Sequence, residues 1–491
     1  MTDLTKTLAD FATRTRYEDL PAPVVRESKR LLLDTIGCAI GAIGTESGVI
    51  TLKYIEALGG NPRATVIGSA QRSSVTSAAY ANGRLANVLD ADDTFPTSTH
   101  FGNATVFSAL ALTEDLDRSG AELLTAIAVG FDVGARIGSW MGPPMQIENG
   151  EVIGWNELGG PAATMTWAAV GAAASAAGLT AIQANHAFGI AGANSPQPTL
   201  RKWAESPRQP MYKYADAGWC AEIGTSAAML ARLGSTGFLD VLDGENAFWR
   251  WYGSPGHDDV ALLGKLGEDW QILNTTYKPW PCCRWIHHPL TAFAGIRAEY
   301  DLKPDEIERI VVRANPFALT PIFRDQQPDD MLSAEFSHAH AMAVLAHDVP
   351  AGPRWYDAAT MRDPAIAAFR SRVEVAPEPT SANIGTWITG GQWRGVPGGV
   401  DVHARGQVFS ATADMSLGDP WSEPTLYSDA AILDKFHAMI GLEMASAQHL
   451  PALREAADRL VAAVADLERQ SSAGDLARAL ADVSALANRH G

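Results

Sequence analysis

Cysteine is scarce in this chain and is spaced against structural use. Cys38, Cys220, Cys282 and Cys283 are two distant singles and one adjacent pair among 491 residues. That pattern gives neither a disulfide framework nor the paired CxxC spacing of a zinc site. Basic charge is also short: 38 Lys and Arg stand against 56 Asp and Glu, and no run of either cation forms a stripe for phosphates. The formal net charge of −18 excludes general nucleic-acid binding, so an anionic substrate needs a local positive pocket inside a negative molecule. Charged residues amount to 19% and hydrophobic ones to 46%, which excludes a disordered chain and implies a well-buried globular protein. Its length suggests roughly two to four domains. The stretch "MTDLTKTLADFATRTRYEDL" lacks the apolar core of a signal peptide. Gly159 to Ile182 carries no charge over a length that could span a bilayer, but it is mostly Ala and Gly, which gain little from lipid. It reads as a buried core helix. A cytoplasmic protein with no membrane or nucleic-acid partner is the expectation.

Helical periodicity dominates to about residue 273. Pro21 and Pro23 stand where a helix can begin, and apolar residues follow at helical spacing from Val24 to Ile40. "SVTSAAYANGRLANVLDADDT" reads as an Ala-rich helix running into an acidic loop, and two further helices break at Ser119-Gly120. From residue 274 the texture changes. "IERIVVRAN" and "FRSRVEVAP" are strand-like, and "GGVDVHARGQVFSATAD" alternates on both sides of Arg405-Gly406, as a β-hairpin does. After residue 420 the chain returns to amphipathic helices such as "LPALREAADRLVAAVADLERQ". The implied fold class is mainly α: a large helical domain (1–273) interrupted by a smaller α+β lid (274–420), with C-terminal helices (421–491) rejoining the first domain.

Four stretches could carry chemistry. "LDADDTFPTSTH", Leu89 to His100, packs three carboxylates, three threonines, a serine and a histidine into one loop. It is compatible with a structural turn, with acid/base work or with a metal, although it lacks the glycine and glutamate pattern of an EF-hand. "TTYKPWPCCRWIHHP" sets Lys278 and Arg284 among prolines and tryptophans, which stiffen the backbone and exclude water, strengthening any charge held there. In "RQPMYKYADAGWCAE", Lys213 stands just before an Ala-rich helix, where a cation opposes the helix dipole and an anionic ligand would explain it. "AEFSHAHAMAVLAHD" offers His338 and His340, whose side chains diverge at a helix start. Taken singly, each stretch also has an ordinary structural reading.

Taken together they resemble the MmgE/PrpD family, which includes 2-methylcitrate dehydratase, cis-aconitate decarboxylase and iminodisuccinate epimerase. The resemblance runs through "LLLDTIGCAIGA", "NGRLANVLDADDT", "MYKYADAGWCAE", "YKPWPCCRWIHHP" and "EFSHAHAMAV" to "GDPWSEPTLYSDAAILDKF". It implies a helical domain with an α+β lid, a homodimer, no metal or organic cofactor, and a site between the domains. Carried over residue by residue, Asp90, Thr94 and His100 line that site from the acidic loop. Lys213 matches the family's helical-domain lysine and Lys278 its hinge lysine. Two positions depart: Gly159 or Gly160 falls where many relatives have a histidine, and His340 where many have a tyrosine.

What the resemblance implies for the chemistry is the handling of negative charge on carbon beside a carboxylate, which needs cations and a proton carrier of intermediate pKa. Lys213 and Lys278 fit the cations, with Arg284 as helper. His100, oriented by Asp90, fits the proton carrier. Thr94 fits a substrate hydrogen-bond donor, His338 a further substrate contact, and His340 a second proton-transfer group, while Asp92 and Asp93 shape the loop. The expected function is a cofactor-independent lyase on a di- or tricarboxylic acid, with dehydration first, decarboxylation second and epimerisation third. A carboxylate-binding or scaffold protein, and a metal-dependent hydrolase using Asp92, Asp93 and the histidines, are the alternatives.

Overall fold

The computed structural model describes residues 3–97, 99–143, 145–148, 151–156, 164–197, 199–205, 209–211, 213, 216–389 and 392–487. Gly159 and Gly160, where the family histidine would fall, lie outside the described residues. The architecture is mainly α, with a smaller α+β part.

The helices start where local chemistry allows. Pro21 caps Ala22–Gly41 with Pro23 in its first turn, where a missing backbone N–H costs nothing. Ser119 and Glu122 form a reciprocal capping box on Gly120–Met141, which fixes the break seen in the sequence. Thr180 and Gln183 do the same for Ala181–Asn194. The uncharged Ala/Gly segment supplies the buried helix Met165–Ala176, packed on Gly120–Met141. The approach is close because of glycine: a Cβ at Gly130 would stand 2.5 Å from Ala172 Cβ. Among the described residues, no single helix is long and apolar enough to cross a membrane.

Buried apolar side chains form two main clusters. One joins the N-terminal helices to Ile432, Phe436, Leu453, Leu460 and Leu480 of the C-terminal ones. The other runs from Trp280 to Ala404, with Trp203 added, and lines one face of a four-stranded sheet. In that sheet Ile307–Ala314 pairs parallel to Val373–Pro377 on one side and antiparallel to Gly398–Ala404 on the other, and Gln407–Ala413 completes the edge. Arg405 (φ 55°) and Gly406 (φ 70°) form the expected tight hairpin turn. An antiparallel pair that the sequence reading passed over, Met145–Glu148 with Glu151–Trp155, lies within the helical region.

Candidate active site

The acidic loop begins where the Val75–Asn87 helix ends. Asp90 has φ 49°, in the left-handed region that Asp tolerates better than most residues. That turn sends the chain back through the core, and Asp90, Asp92, Asp93, Thr94 and His100 are all buried. Thr94 and Thr276 exchange backbone hydrogen bonds of 2.8 and 2.9 Å, stitching the loop to the segment that carries Lys278.

Asp90 is the centre of the charge arrangement. Its Oδ1 accepts from Lys278 Nζ at 2.7 Å and lies 2.9 Å from Lys213 Nζ. Lys278 also donates to the Asp90 carbonyl at 2.8 Å, and Lys213 to the Asn87 carbonyl at 2.7 Å. Burial works to raise the Asp90 pKa, but the Lys213 and Lys278 ammonium groups and His100 overcome it and hold the carboxyl well below the usual range. Burial likewise opposes the Lys213 charge, and the Asp90 carboxylate above all outweighs it, so Lys213 stays a cation.

His100 is oriented from behind. Its Nδ1 lies 2.8 Å from the Asp93 carbonyl, an acceptor only, so Nδ1 carries a hydrogen. Nε2 is 3.9 Å from Asp90 Oδ1, and Nδ1 is 3.4 Å from Asp92 Oδ1. The orienting group is therefore the Asp93 backbone, with Asp92 beside it, rather than the Asp90 carboxylate that the sequence reading assigned. A main-chain contact of this kind has no residue signature.

Asp92 accepts from the Asn87 and Asn103 side-chain amides at 2.9 and 2.8 Å. Burial raises its pKa, but His100 and the two lysines bring it well below the usual range. Asp93 accepts from the backbone N–H groups of Phe101 (3.2 Å) and Gly102 (2.9 Å) at the start of the Gly102–Asp115 helix. Burial and the neighbouring Asp92 and Asp34 push its carboxyl up. Gly102 is a requirement of this packing, since a Cβ there would stand 2.3 Å from Asp93 Oδ1 and 2.8 Å from Leu31 Cδ1. Gly102→Ala is expected to lose about 1–3 kcal/mol of stability by overpacking, measured by denaturant unfolding.

The structure does not bring every proposed residue to this cluster. Arg284 is bonded to Ser416 (2.6 Å) and Asp419 (2.5 Å), so it clips the segment after Lys278 to the chain just past the hairpin. His340 Nε2 lies 2.8 Å from the Trp355 carbonyl, and its ring stacks on Tyr356. His338 is buried against Phe323. Burial lowers the pKa of His340 to about 4 and of His338 to about 3, which makes both neutral. Conversely, four contributors escaped sequence reasoning. Asn87 and Asn103 hold Asp92. Lys435, on the Asp429–Met439 helix, donates to the Ala91 carbonyl and pairs with Asp34, both at 2.6 Å. Glu335 lies 3.7 Å from Lys213. A lone Lys on a C-terminal amphipathic helix gives no sign of reaching a loop 344 residues away.

Asp90, Asp92 and His100 each offer an atom within 4.8 Å of the others, close enough to surround a metal ion. The donor set fits one poorly, because Asp90 Oδ1 already receives two ammonium groups and a cation there would face both. On the Lys213 side, a cavity of about 20 Å³ is lined by Ser47, Arg84, Asn87, Met331 and Leu332. That is room for little more than one water.

Residues 6–259 match the model of the MmgE/PrpD N-terminal domain, and residues 280–460 that of the MmgE/PrpD C-terminal domain. The chain is similar to mouse cis-aconitate decarboxylase, 28% identical over 323 residues, covering 63% of each chain. The human cis-aconitate decarboxylase is 30% identical over 306 residues, covering 59% of this chain and 60% of that protein. A cis-aconitate decarboxylase-like protein, oryM of Aspergillus oryzae, is 25% identical over 315 residues, covering 61% and 62%. The chain thus spans less than two thirds of the length of the curated relatives it matches.

Proposed function

The chain belongs to the MmgE/PrpD family, and from that premise we propose that it is a cofactor-independent lyase that decarboxylates a di- or tricarboxylic acid. The sequence alone put dehydration first. The names of its relatives put carbon–carbon cleavage ahead of it. One observation carries the reading: Asp90 Oδ1 is bridged by two buried ammonium groups, with the reactive nitrogen of His100 at 3.9 Å.

Asp90 pre-orients Lys213 and Lys278, and a substrate carboxylate arriving beside them shares their charge. Because the ammonium groups are buried, they act on it far more strongly than they would in water. Cleavage of the bond to the departing carboxylate releases carbon dioxide and leaves the electron pair on carbon, conjugated to a second carboxylate. The two lysines stabilise that enolate-like dianion. His100, as imidazolium, transfers its Nε2 proton to the carbon and regains one from solvent afterwards. The Thr94 hydroxyl, which has no hydrogen-bond partner among the described residues, donates to the substrate. A cavity of about 20 Å³ does not admit such an acid, so the lid segment bearing Met331 and Leu332 moves before binding. A cytoplasmic homodimer belongs to the same proposal.

The test is NMR of a panel of di- and tricarboxylic acids incubated with the protein in deuterated water. The expected outcome is loss of one carboxylate carbon and one deuterium on the product. A new alkene formed with loss of hydroxyl replaces decarboxylation by dehydration, and deuterium exchange without net loss replaces it by epimerisation. An unchanged panel overturns the lyase reading in favour of a binding protein.

A further inference from the structure

Glu335 is the buried ionisable group that this mechanism leaves unused. It closes the short lid helix Met331–Glu335, four residues beyond Met331 of the cavity wall, and is 0% exposed. Its backbone carbonyl accepts from Cys283 N–H at 2.9 Å, which ties it to the segment carrying Lys278. Neither of its carboxyl oxygens has a hydrogen-bond partner among the described residues. Oε2 stands 3.7 Å from Lys213 Nζ, beyond a hydrogen bond, while two of the three lysine hydrogens go to the Asn87 carbonyl and Asp90. Lys213 therefore lies between a bonded carboxylate and an unbonded carboxyl.

Burial and charge together set the state of that carboxyl. Lys213 and Lys278 are balanced by Asp90 and Asp92, so an ionised Glu335 would cancel the positive charge that the His100 imidazolium brings to the site. It would also face the very carboxylates that the lysines gather. An ionised carboxylate buried without hydrogen bonds is strongly disfavoured. Burial pushes Glu335 well above the usual carboxylate range, and Lys213 pulls it back only in part. The neutral acid turns a repulsion into an O–H donor.

On the lyase reading above, we infer that Glu335 is a further substrate-binding residue, a neutral carboxylic acid that donates its O–H to a carboxylate oxygen of the acid held by Lys213. The third hydrogen of Lys213 and the Glu335 O–H then converge on one carboxylate group. The site selects polyanionic acids whose binding keeps Glu335 protonated. Because the protonated form binds, affinity falls as pH rises through the Glu335 ionisation and is complete below it.

The experiment compares wild type, Glu335→Gln and Glu335→Ala in steady-state kinetics across pH, with calorimetric binding of tricarballylate, a saturated tricarboxylic acid, alongside. Wild-type KM is expected to climb on the alkaline side. Glu335→Gln keeps an N–H donor and a near-native kcat, and its KM loses that climb. Glu335→Ala raises KM about 10–100-fold with little change in kcat. Infrared spectra of the tricarballylate complex should show a protonated-carboxyl stretch in wild type that Glu335→Gln lacks. An unchanged KM in Glu335→Ala, or the same alkaline climb in Glu335→Gln, overturns the inference. So does a wild-type complex without that stretch. If wild type turns over no acid, the lyase reading falls by itself, and the same comparison of dissociation constants for tricarballylate still decides the role of Glu335.

Discussion

His100→Ala is expected to lower turnover by about 10²–10⁴-fold while leaving a folded protein, measured by kcat together with circular dichroism. The size follows from the role. Nδ1 lies 2.8 Å from the Asp93 carbonyl, and the proposed mechanism delivers the proton from Nε2. The lysines lie near the same carboxylate, and Asp90 shifts Lys213 further from giving up its proton. In the proposed mechanism they stabilise charge without replacing the imidazole. The fold survives because Lys435, Asn87, Asn103 and the Thr94–Thr276 bridge hold the loop independently of the imidazole. A folded His100→Ala protein with wild-type turnover removes His100 from the mechanism.

The second large effect is expected from Lys278→Met, which loses both stability and activity. Lys278 is 0% exposed and makes two hydrogen bonds to Asp90. Removing it leaves a buried carboxylate with Lys213 as its remaining ammonium partner, a change that typically costs about 3–5 kcal/mol. Turnover should fall by about 10²–10³-fold, since one of two cations facing the developing charge is gone. The acid limb gives an independent check. Asp90 has a lowered pKa in the folded protein, so its contribution to stability is present above the unfolded value of about 3.9 and is lost as pH falls below it. With Lys278 gone the Asp90 shift is smaller, and unfolding free energy should fall less steeply over that acid range than in wild type. Equal stability and equal acid slopes for the two proteins would show that the pair contributes nothing.

The parts of this molecule that were legible are those with local causes. Pro21 and Pro23, the Ser119–Glu122 box and the Arg405-Gly406 turn each write an element boundary in one or two residues, and each element forms there. The pairing of Met145–Glu148 with Glu151–Trp155 had a signal too, the Asn149-Gly150 dipeptide between its strands, masked by the helical texture around it. Asp90, His100, Lys213 and Lys278 were found through motifs scattered over 189 positions, and the fold draws them into hydrogen-bond or near-contact distance. In "AEFSHAHA" the histidines carry a more conspicuous signal than Glu335, yet in the fold they turn to Trp355 and Phe323 while Glu335 lies beside Lys213. What stays invisible in sequence is which of several acids is left unbonded, because that depends on partners supplied from distant segments.

The most direct measurement is an NMR time course of wild type and His100→Ala in deuterated water with the acid that wild type consumes. The expected result is carbon dioxide release with a single deuterium placed on carbon by wild type, and neither event at a comparable rate in the folded variant. Deuterated product formed by His100→Ala as fast as by wild type would contradict the account, because the proton would then be coming from somewhere other than the loop that Asp90, Lys213 and Lys278 surround.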